Sequence, residues 1–294
     1  MTESNNAEVA SDFFEKVAFQ KLKTMLKEKA GLNCEGYREE YLRRRFAIRL
    51  RATSCPKYGQ YLRYINKNPQ EIQCLLNDLT INYTLFFRDS DVFQYLGKTL
   101  LPKLLHSNTK VRIWSAGCAS GEEPYSLAIL AHEILGAPAA SRQVFIYASD
   151  VDRDALDKAQ KGGYQRKQLD GVAESLIRKY FAKEGEVYRI KDFVKKNIQF
   201  ERNDLMKPSL HSYLDLILCR NVMIYFSQES QEHIHMNFYN ALREGGHFIT
   251  GKSEILSGEP NRKFKQVEAK FRVYYKPKET DFAFQSGLIC QESS

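Results

Sequence analysis

Residues 112–127 read R-I-W-S-A-G-C-A-S-G-E-E-P-Y-S-L, and no other stretch of the chain restricts the fold as tightly. Val111, Ile113 and Trp114 make an apolar run of the kind that forms a buried strand. Gly117 and Gly121 follow, with small residues between them. Glu122, Glu123 and Pro124 then open a helix whose Leu127, Leu130, Ala131 and Ile134 recur at helical spacing. Strand, glycine turn and helix start, in that order, bring a ligand against bare backbone in a doubly wound α/β sheet. The glycine spacing is G-x-x-x-G, which differs from the G-x-G-x-x-G of a dinucleotide site, and no G-K-[ST] follows to hold a phosphate. Carboxylates at the helix mouth repel a pyrophosphate. They suit a ligand with a cationic end and hydroxyl or amino donors, and S-adenosylmethionine carries a sulfonium, an amino group and a ribose.

The rest of the chain sets the context for that unit. At 294 residues and 43% hydrophobic content, one large domain or two modest ones are expected. No apolar run approaches the 18 or so residues of a membrane span, so no membrane insertion is expected. Residues 1–12 are polar and acidic and do not resemble a signal peptide. The six cysteines (34, 55, 74, 118, 219 and 290) contain no C-x-x-C, which argues against zinc and against a disulfide framework. His233 and His235, two apart on a helix, point to different faces. A reduced cytoplasmic protein without a metal is the expectation. Of the net charge of +8, a surplus of six lies in residues 36–64, with eight Lys/Arg against two Glu. Such a patch attracts an acidic partner, whether nucleic acid, membrane surface or acidic protein, unless it is merely a solvated face.

Read in order, residues 13–30, 37–51, 58–65 and 70–79 have helical periodicity and make an all-helical N-terminal domain over 13–80. Leu42, Phe46 and Leu50 form the buried stripe of the second helix; Arg38, Arg45 and Arg49 flank it, and Arg44 and Arg51 face away. Residues 80–88 join the two domains. Phe86 and Phe87 read as core, while Asn82, Thr84 and Arg88 are polar groups beside a core and need partners. Residues 91–105 form a helix leading into the sheet. Residues 144–148 are the second strand, ending at Asp150. An acid in that place binds ribose hydroxyls in dinucleotide sites, and it equally serves as N-cap for a helix over 154–161. Residues 162–196 break the β/α alternation. A small insertion is expected there, with short antiparallel strands that include 187–190 and 197–200 and a helix over 173–181. The third main strand continues over 200–205. Residues 214–219 are a buried strand whose end, Arg220-Asn221, reaches the ligand edge of the sheet. Ser227 caps a helix to Arg243, Gly245-Gly246 turns into a strand over 247–251, and 264–267 with 272–276 close the sheet as a hairpin. Residues 279–294 read as a tail.

The segment A-G-C-A-S-G-E-E-P-Y-S (116–126) resembles the cofactor loop of the CheR family, methyltransferases that modify glutamates of bacterial chemoreceptors. T-I-N-Y-T-L-F-F-R (80–88) and C-R-N-V-M-I-Y-F (219–226) resemble two further signatures of that family, in its order and spacing. The similarity runs from about residue 19 to residue 276. It implies a class I S-adenosylmethionine-dependent methyltransferase: a Rossmann-like doubly wound sheet over 81–278, an N-terminal helical domain, and a small antiparallel β subdomain inserted at 162–196. It also implies a cofactor site of Asn82, Thr84, Arg88, Gly117, Glu123, Asp150, Asp204, Leu205, Arg220 and Asn221, with Glu122 as second choice to Glu123. The family has asparagine before that leucine, whereas this chain has Asp204, with Asn203 one place earlier. Either acid of the 122–123 pair also complements the helix dipole.

The implied reaction is methyl transfer to a glutamate carboxylate, with Arg88 and Tyr225 as the catalytic, orienting groups. A carboxyl with a pKa near 4.3 is already anionic at neutral pH, so no general base is required. The implied partners are the cytoplasmic receptor helices that bear methylatable glutamates, engaged by a monomer, with no nucleic acid. Two alternatives stand beside this: a cofactor-binding signalling module without turnover, and a nucleic-acid methyltransferase. Against the latter, no Asn-Pro-Pro-Tyr-type motif and no stacking aromatics accompany the arginines. The short loop at residues 183–186 implies little affinity for a receptor's tail peptide.

Overall fold

The computed structural model describes residues 2–278 and Asp281, with side chains from Asp12 onward. The tail assigned to 279–294 therefore lies outside the described residues, Asp281 apart. The described residues divide into two compact units. One holds the chain up to Asn82 together with Tyr225–Ser230; the other holds Tyr83–Ile224 and the described residues from Gln231 on.

The first unit is built from α1 (Thr2–Ala30), α2 (Glu39–Ala52), α3 (Tyr58–Lys67) and α4 (Glu71–Leu79). Phe19, Leu22 and Leu26 recur on one face of α1 and are buried with Leu42 and Phe46 of α2, Tyr61 and Ile65 of α3, and Leu75, Leu76 and Leu79 of α4. Leu50, expected in the stripe of α2, is only half-buried; Tyr41 takes its place beside Leu42 and Phe46. α2 starts at Glu39 because the two residues before it are used elsewhere. Tyr37 bridges to Phe226, the Arg38 N–H donates to the Tyr225 carbonyl at 3.0 Å, and Arg38 Nε donates to the Phe226 carbonyl at 2.9 Å. The backbone of Tyr225–Ser230 thus completes the helical unit.

The second unit begins with α5 (Ser90–Tyr95), a π-helical turn (Leu96–Leu100) and α6 (Leu101–Ser107), one run where a single helix was expected. Then come β1 (Val111–Ala116), α7 (Glu122–Leu135), α8 (Ala137–Gln143), β2 (Val144–Asp150) and α9 (Arg153–Lys161). Strand alternation sends Ile113 and Trp114 to opposite faces of β1. Ile113 joins the core shared with Leu127, Ala128 and Ala131 of α7, whereas the Trp114 ring meets Phe238 edge-on, 5.2 Å away. With both faces covered, these strands read as continuous apolar runs, as parallel strands do.

The insertion holds β3 (Gly163–Gln165), a 3-10 turn (Arg166–Leu169), α10 (Glu174–Tyr180), β4 (Phe181–Glu184), β5 (Val187–Ile190) and α11 (Asp192–Lys195). Its strands form a separate antiparallel sheet in the order β3-β5-β4. Residues 197–200 do not belong to it. Asn197 is buried, and its amide donates to the carbonyls of Ala140 and Val144; Ile198–Arg202 follows as β6, paired in parallel with β2. β6 thus replaces both the insertion strand expected at 197–200 and the main strand expected at 200–205. β7 (Leu214–Cys219), α12 (Gln228–Ala241), β8 (Leu242–Thr250), α13 (Gly258–Lys263), β9 (Lys265–Glu268) and β10 (Val273–Tyr275) complete a seven-stranded sheet in the order β6-β2-β1-β7-β8-β10-β9. Gly245 and Gly246 do not turn into β8 but lie within it, where its pairing with β7 shifts register between Leu214 and Leu216. β10 runs antiparallel to both neighbours.

Candidate active site

β6, β2, β1 and β7 are neighbours, and the ends of these parallel strands lead into Gly117, Asp150, Asp204 and Arg220 along one edge. β1 stops at Ala116, and Gly117 turns the chain with φ +77°. Its N–H donates to the Ser149 carbonyl at 2.8 Å, and a side chain here would put Cβ 2.6 Å from Val222 Cγ2. Only a bare backbone fits that turn. Ala119, also left-handed at φ +47°, donates its N–H to Asp150 Oδ2 at 2.8 Å. The end of β2 therefore fixes the shape of the loop after β1.

Asp150 does not cap the next helix. That role falls to Asp152, whose Oδ1 accepts from the N–H groups of Asp154 at 2.9 Å and Ala155 at 3.2 Å. The other Asp150 oxygen accepts the Asp152 N–H at 3.0 Å, and burial pushes the carboxyl pKa up. A carboxylate of this kind is the acceptor chemistry that a ribose diol requires. Beside it, the Asn203 N–H donates to the Asp150 carbonyl at 3.1 Å, Asp204 Oδ1 accepts the Met206 N–H at 3.0 Å, and Leu205 is buried. Asn203 Nδ2 is buried without a hydrogen-bond partner among the described residues.

The acidic pair splits. Glu122 is fully buried and accepts from Ser120 Oγ at 2.8 Å and from Gln168 Nε2, in the insertion, at 3.0 Å. Burial pushes its pKa up to about 7. Glu123 accepts from Ser115 Oγ at 2.8 Å and from Arg220 Nη1 at 3.2 Å. Arg220 ties the edge together: its side chain is 2% exposed, Nη2 also donates to Asp89 Oδ2 at 2.5 Å and to the Arg88 carbonyl at 2.9 Å, and the guanidinium lies over Phe93. Arg88 turns its own guanidinium back to the Tyr83 carbonyl at 3.0 Å. Asn221 is left-handed at φ +61°, and its Oδ1 is buried with no hydrogen-bond partner among the described residues. Thr84 is half-buried in the segment that leads to Arg88. Asn82 and Tyr225 fall in the first unit, where the Tyr225 ring packs 4.9 Å from that of Tyr41.

Asp89, Ser115, Ser120 and Gln168 were not singled out from the sequence. Asp89 carries one signal, a carboxylate directly after Arg88, but its partner is 131 residues away. No spacing rule connects the two.

A parallel sheet whose glycine turn, buried arginine and acid at the end of the second strand share one edge defines a class I S-adenosylmethionine-dependent methyltransferase. The donor set fits that cofactor: a carboxylate for hydroxyls, a close-approach backbone at Gly117 and further carboxylates at the helix mouth. Residues 82–273 match the family described as CheR methyltransferase, SAM binding domain, and residues 18–80 match CheR methyltransferase, all-alpha domain. The chain is 34% identical over 235 residues to the chemotaxis protein methyltransferase of Listeria innocua, covering 79% of this chain and 88% of that one. The proteins of the same name from Salmonella typhimurium and Escherichia coli are 32% and 31% identical over 248 residues, in each case covering 81% of this chain and 84% of theirs. The chain belongs to the CheR methyltransferase family.

Proposed function

We propose that this protein methylates glutamate side chains on the cytoplasmic helices of chemoreceptors, giving methyl esters in chemotactic adaptation. The observation that carries the proposal is the Arg220 tie, which joins the Arg88 carbonyl and Glu123 through one buried guanidinium. This tie supports reading Arg88 and the loop after β1 as parts of one site. S-adenosylmethionine, held by Thr84, Arg88, Gly117, Glu123, Asp150, Asp204, Leu205, Arg220 and Asn221, supplies the methyl group on a sulfonium. The chain's own task is placement and exclusion of water, because the acceptor is already anionic at neutral pH. Well-oriented reactions gain about 7–11 kcal/mol from such placement.

Arg88 and Tyr225 are the proposed orienting groups, a charge-assisted donor and a phenol. Arg88 cannot grip the acceptor too tightly, since stabilising the ground-state carboxylate slows attack. Its bond to the Tyr83 carbonyl shares out its donors and limits that grip. The proposed docking surface for the acidic receptor helix is α2, whose Arg44 and Arg51 are exposed.

The test is transfer of label from methyl-labelled cofactor to a receptor cytoplasmic fragment. The label is expected to be base-labile, as a methyl ester is, and Tyr225→Phe is expected to bind cofactor nearly normally while losing kcat. Alkali-stable label, or transfer to RNA instead, rejects the receptor-glutamate reading. Unchanged turnover in Tyr225→Phe rejects the role of the phenol.

A further inference from the structure

We propose that Glu254 is a positioning residue for the cofactor edge, clamping the Asn221–Met223 turn through its backbone. This carboxylate is 4% exposed, and among the described residues its side chain accepts hydrogen bonds from neutral donors. Oε2 accepts from the N–H groups of Asn221 at 3.0 Å and Gly251 at 2.6 Å and from Thr250 Oγ1 at 2.9 Å; Oε1 accepts the Met223 N–H at 2.8 Å. Among the described residues no Lys, Arg or His forms an ion pair with it. A buried charge without a counter-ion is costly, and here four donors offset that cost.

The charge is suited to the geometry. Both ends of the turn present N–H groups, and only a carboxylate accepts on both of its terminal atoms. Glutamine in its place turns an amide NH2 towards one of those N–H groups and releases one end of the turn. The turn needs holding, since Asn221 is left-handed at φ +61°, a conformation with a steric cost for a side-chain-bearing residue. Between the two clamped amides lies Val222, whose Cγ2 faces the bare backbone of Gly117. The clamp therefore fixes the residue after Arg220 and also the wall against which the glycine loop is seated. Gly251 lets the two strand ends come this close. A Cβ there would lie 2.6 Å from Glu254 Oε2 and 2.9 Å from the Asn221 nitrogen.

The inference rests on the reading of Arg220–Asn221 as part of the cofactor site. Calorimetric titration with S-adenosylhomocysteine separates the two, using the wild-type protein, Glu254→Gln, Gly251→Ala and Asn221→Ala. Gly251→Ala opens the clamp sterically without removing any of its groups. Both clamp variants are expected to raise Kd by about tenfold or more at unchanged stoichiometry, the scale of one lost charge-assisted hydrogen bond. A merely structural role lowers the binding-competent fraction, and hence the stoichiometry, while Kd stays at the wild-type value; that result overturns the proposal. If Asn221→Ala weakens binding and the clamp variants do not, the proposal falls and the site assignment stands. If none of the three weakens it, both fall. If the clamp variants weaken binding and Asn221→Ala does not, the clamp is upheld and acts through Arg220 and Val222. Should Glu254→Gln fail to fold, Gly251→Ala decides on the same criterion.

Discussion

Glu122 and Glu123 are adjacent in the chain and differ in every physical respect that matters. Glu122 is sealed against Ser120 and Gln168 with its pKa pushed up to about 7 by burial, and Glu123 is held by Ser115 and Arg220. A carboxyl whose folded pKa lies above its unfolded value of 4.5 binds a proton that the unfolded chain has already lost. Its contribution is fully present below pH 4.5 and is lost as pH rises towards 7. Glu122→Gln is therefore expected to stabilise the protein by up to about 3 kcal/mol at neutral pH, at about 1.4 kcal/mol per pKa unit. Thermal melts of both proteins across pH 4.5–7.5 measure this, and a gain that does not change with pH refutes the burial account. Asp150 offers a binding counterpart. Asp150→Ala removes the proposed ribose acceptor and frees the Ala119 N–H, so S-adenosylhomocysteine affinity is expected to fall by about 1.5–3 kcal/mol. Wild-type affinity in that variant removes Asp150 from the site.

Among the elements, α2 shows how charge counted along a sequence divides in space. Arg43 pairs with Glu39 one turn back, and Arg45 lies over the Tyr41 ring. Arg49 bonds Glu71 through Nε at 2.8 Å and Nη2 at 2.9 Å, and Asp78 through Nη1 at 3.2 Å. Glu71 also accepts from Tyr61 Oη at 2.7 Å. Arg49→Ala leaves that buried carboxylate with one neutral donor and is expected to cost about 3 kcal/mol in urea unfolding. Arg44 and Arg51 remain exposed. Reversing both to Glu is expected to raise KM for a receptor fragment and flatten its salt dependence, leaving cofactor affinity unchanged. The Debye length falls from about 10 Å at 0.1 M salt to about 3 Å at 1 M, so raising salt weakens the wild-type enzyme's steering. An unchanged KM reduces these arginines to a solvated face. In the insertion, Gly185 and Glu186 join β4 to β5 in a tight turn, with Gly185 at φ +61°. So short a hairpin offers little to grip, and micromolar or tighter binding of a receptor tail peptide contradicts that reading.

For the whole molecule, acid sensitivity is carried most strongly by two of the three buried histidines. His235, surrounded by Phe238 and Phe248, and His247, near Lys103 and Arg243, both have pKa values pushed down to about 4, chiefly by burial. Their folded values lie below the unfolded 6.5, so the stability they contribute is present above pH 6.5 and lost as pH falls towards 4. Two such groups outweigh the opposing trend of Glu122, and melting temperature is expected to drop over that window. Replacing His235 with Phe is expected to reduce the drop, and an identical pH profile in the variant argues against a neutral buried imidazole.

The sequence alone determined what depends on neighbours within a few residues: the apolar run of β1, the glycine turn, the start of α7, the helices of the first unit and the insertion strand over 187–190. Periodicity, caps and turn residues act over that range, and they carried the fold class. Tertiary structure decided what depends on partners far away in the chain. Asp152 rather than Asp150 caps α9, but that choice follows from Asp150 being drawn to the loop of β1. Residues 198–202 pair with β2 because Asn197 anchors to Ala140 and Val144. Tyr225–Ser230 joins the helices through Gly36 and Arg38, although its sequence runs on from β7. Arg220 and Glu254 show the reason most clearly. A buried charge takes whichever donors or acceptors folding brings to it: Asp89 lies 131 residues from Arg220, and Asn221 lies 33 from Glu254, distances over which no local pattern operates.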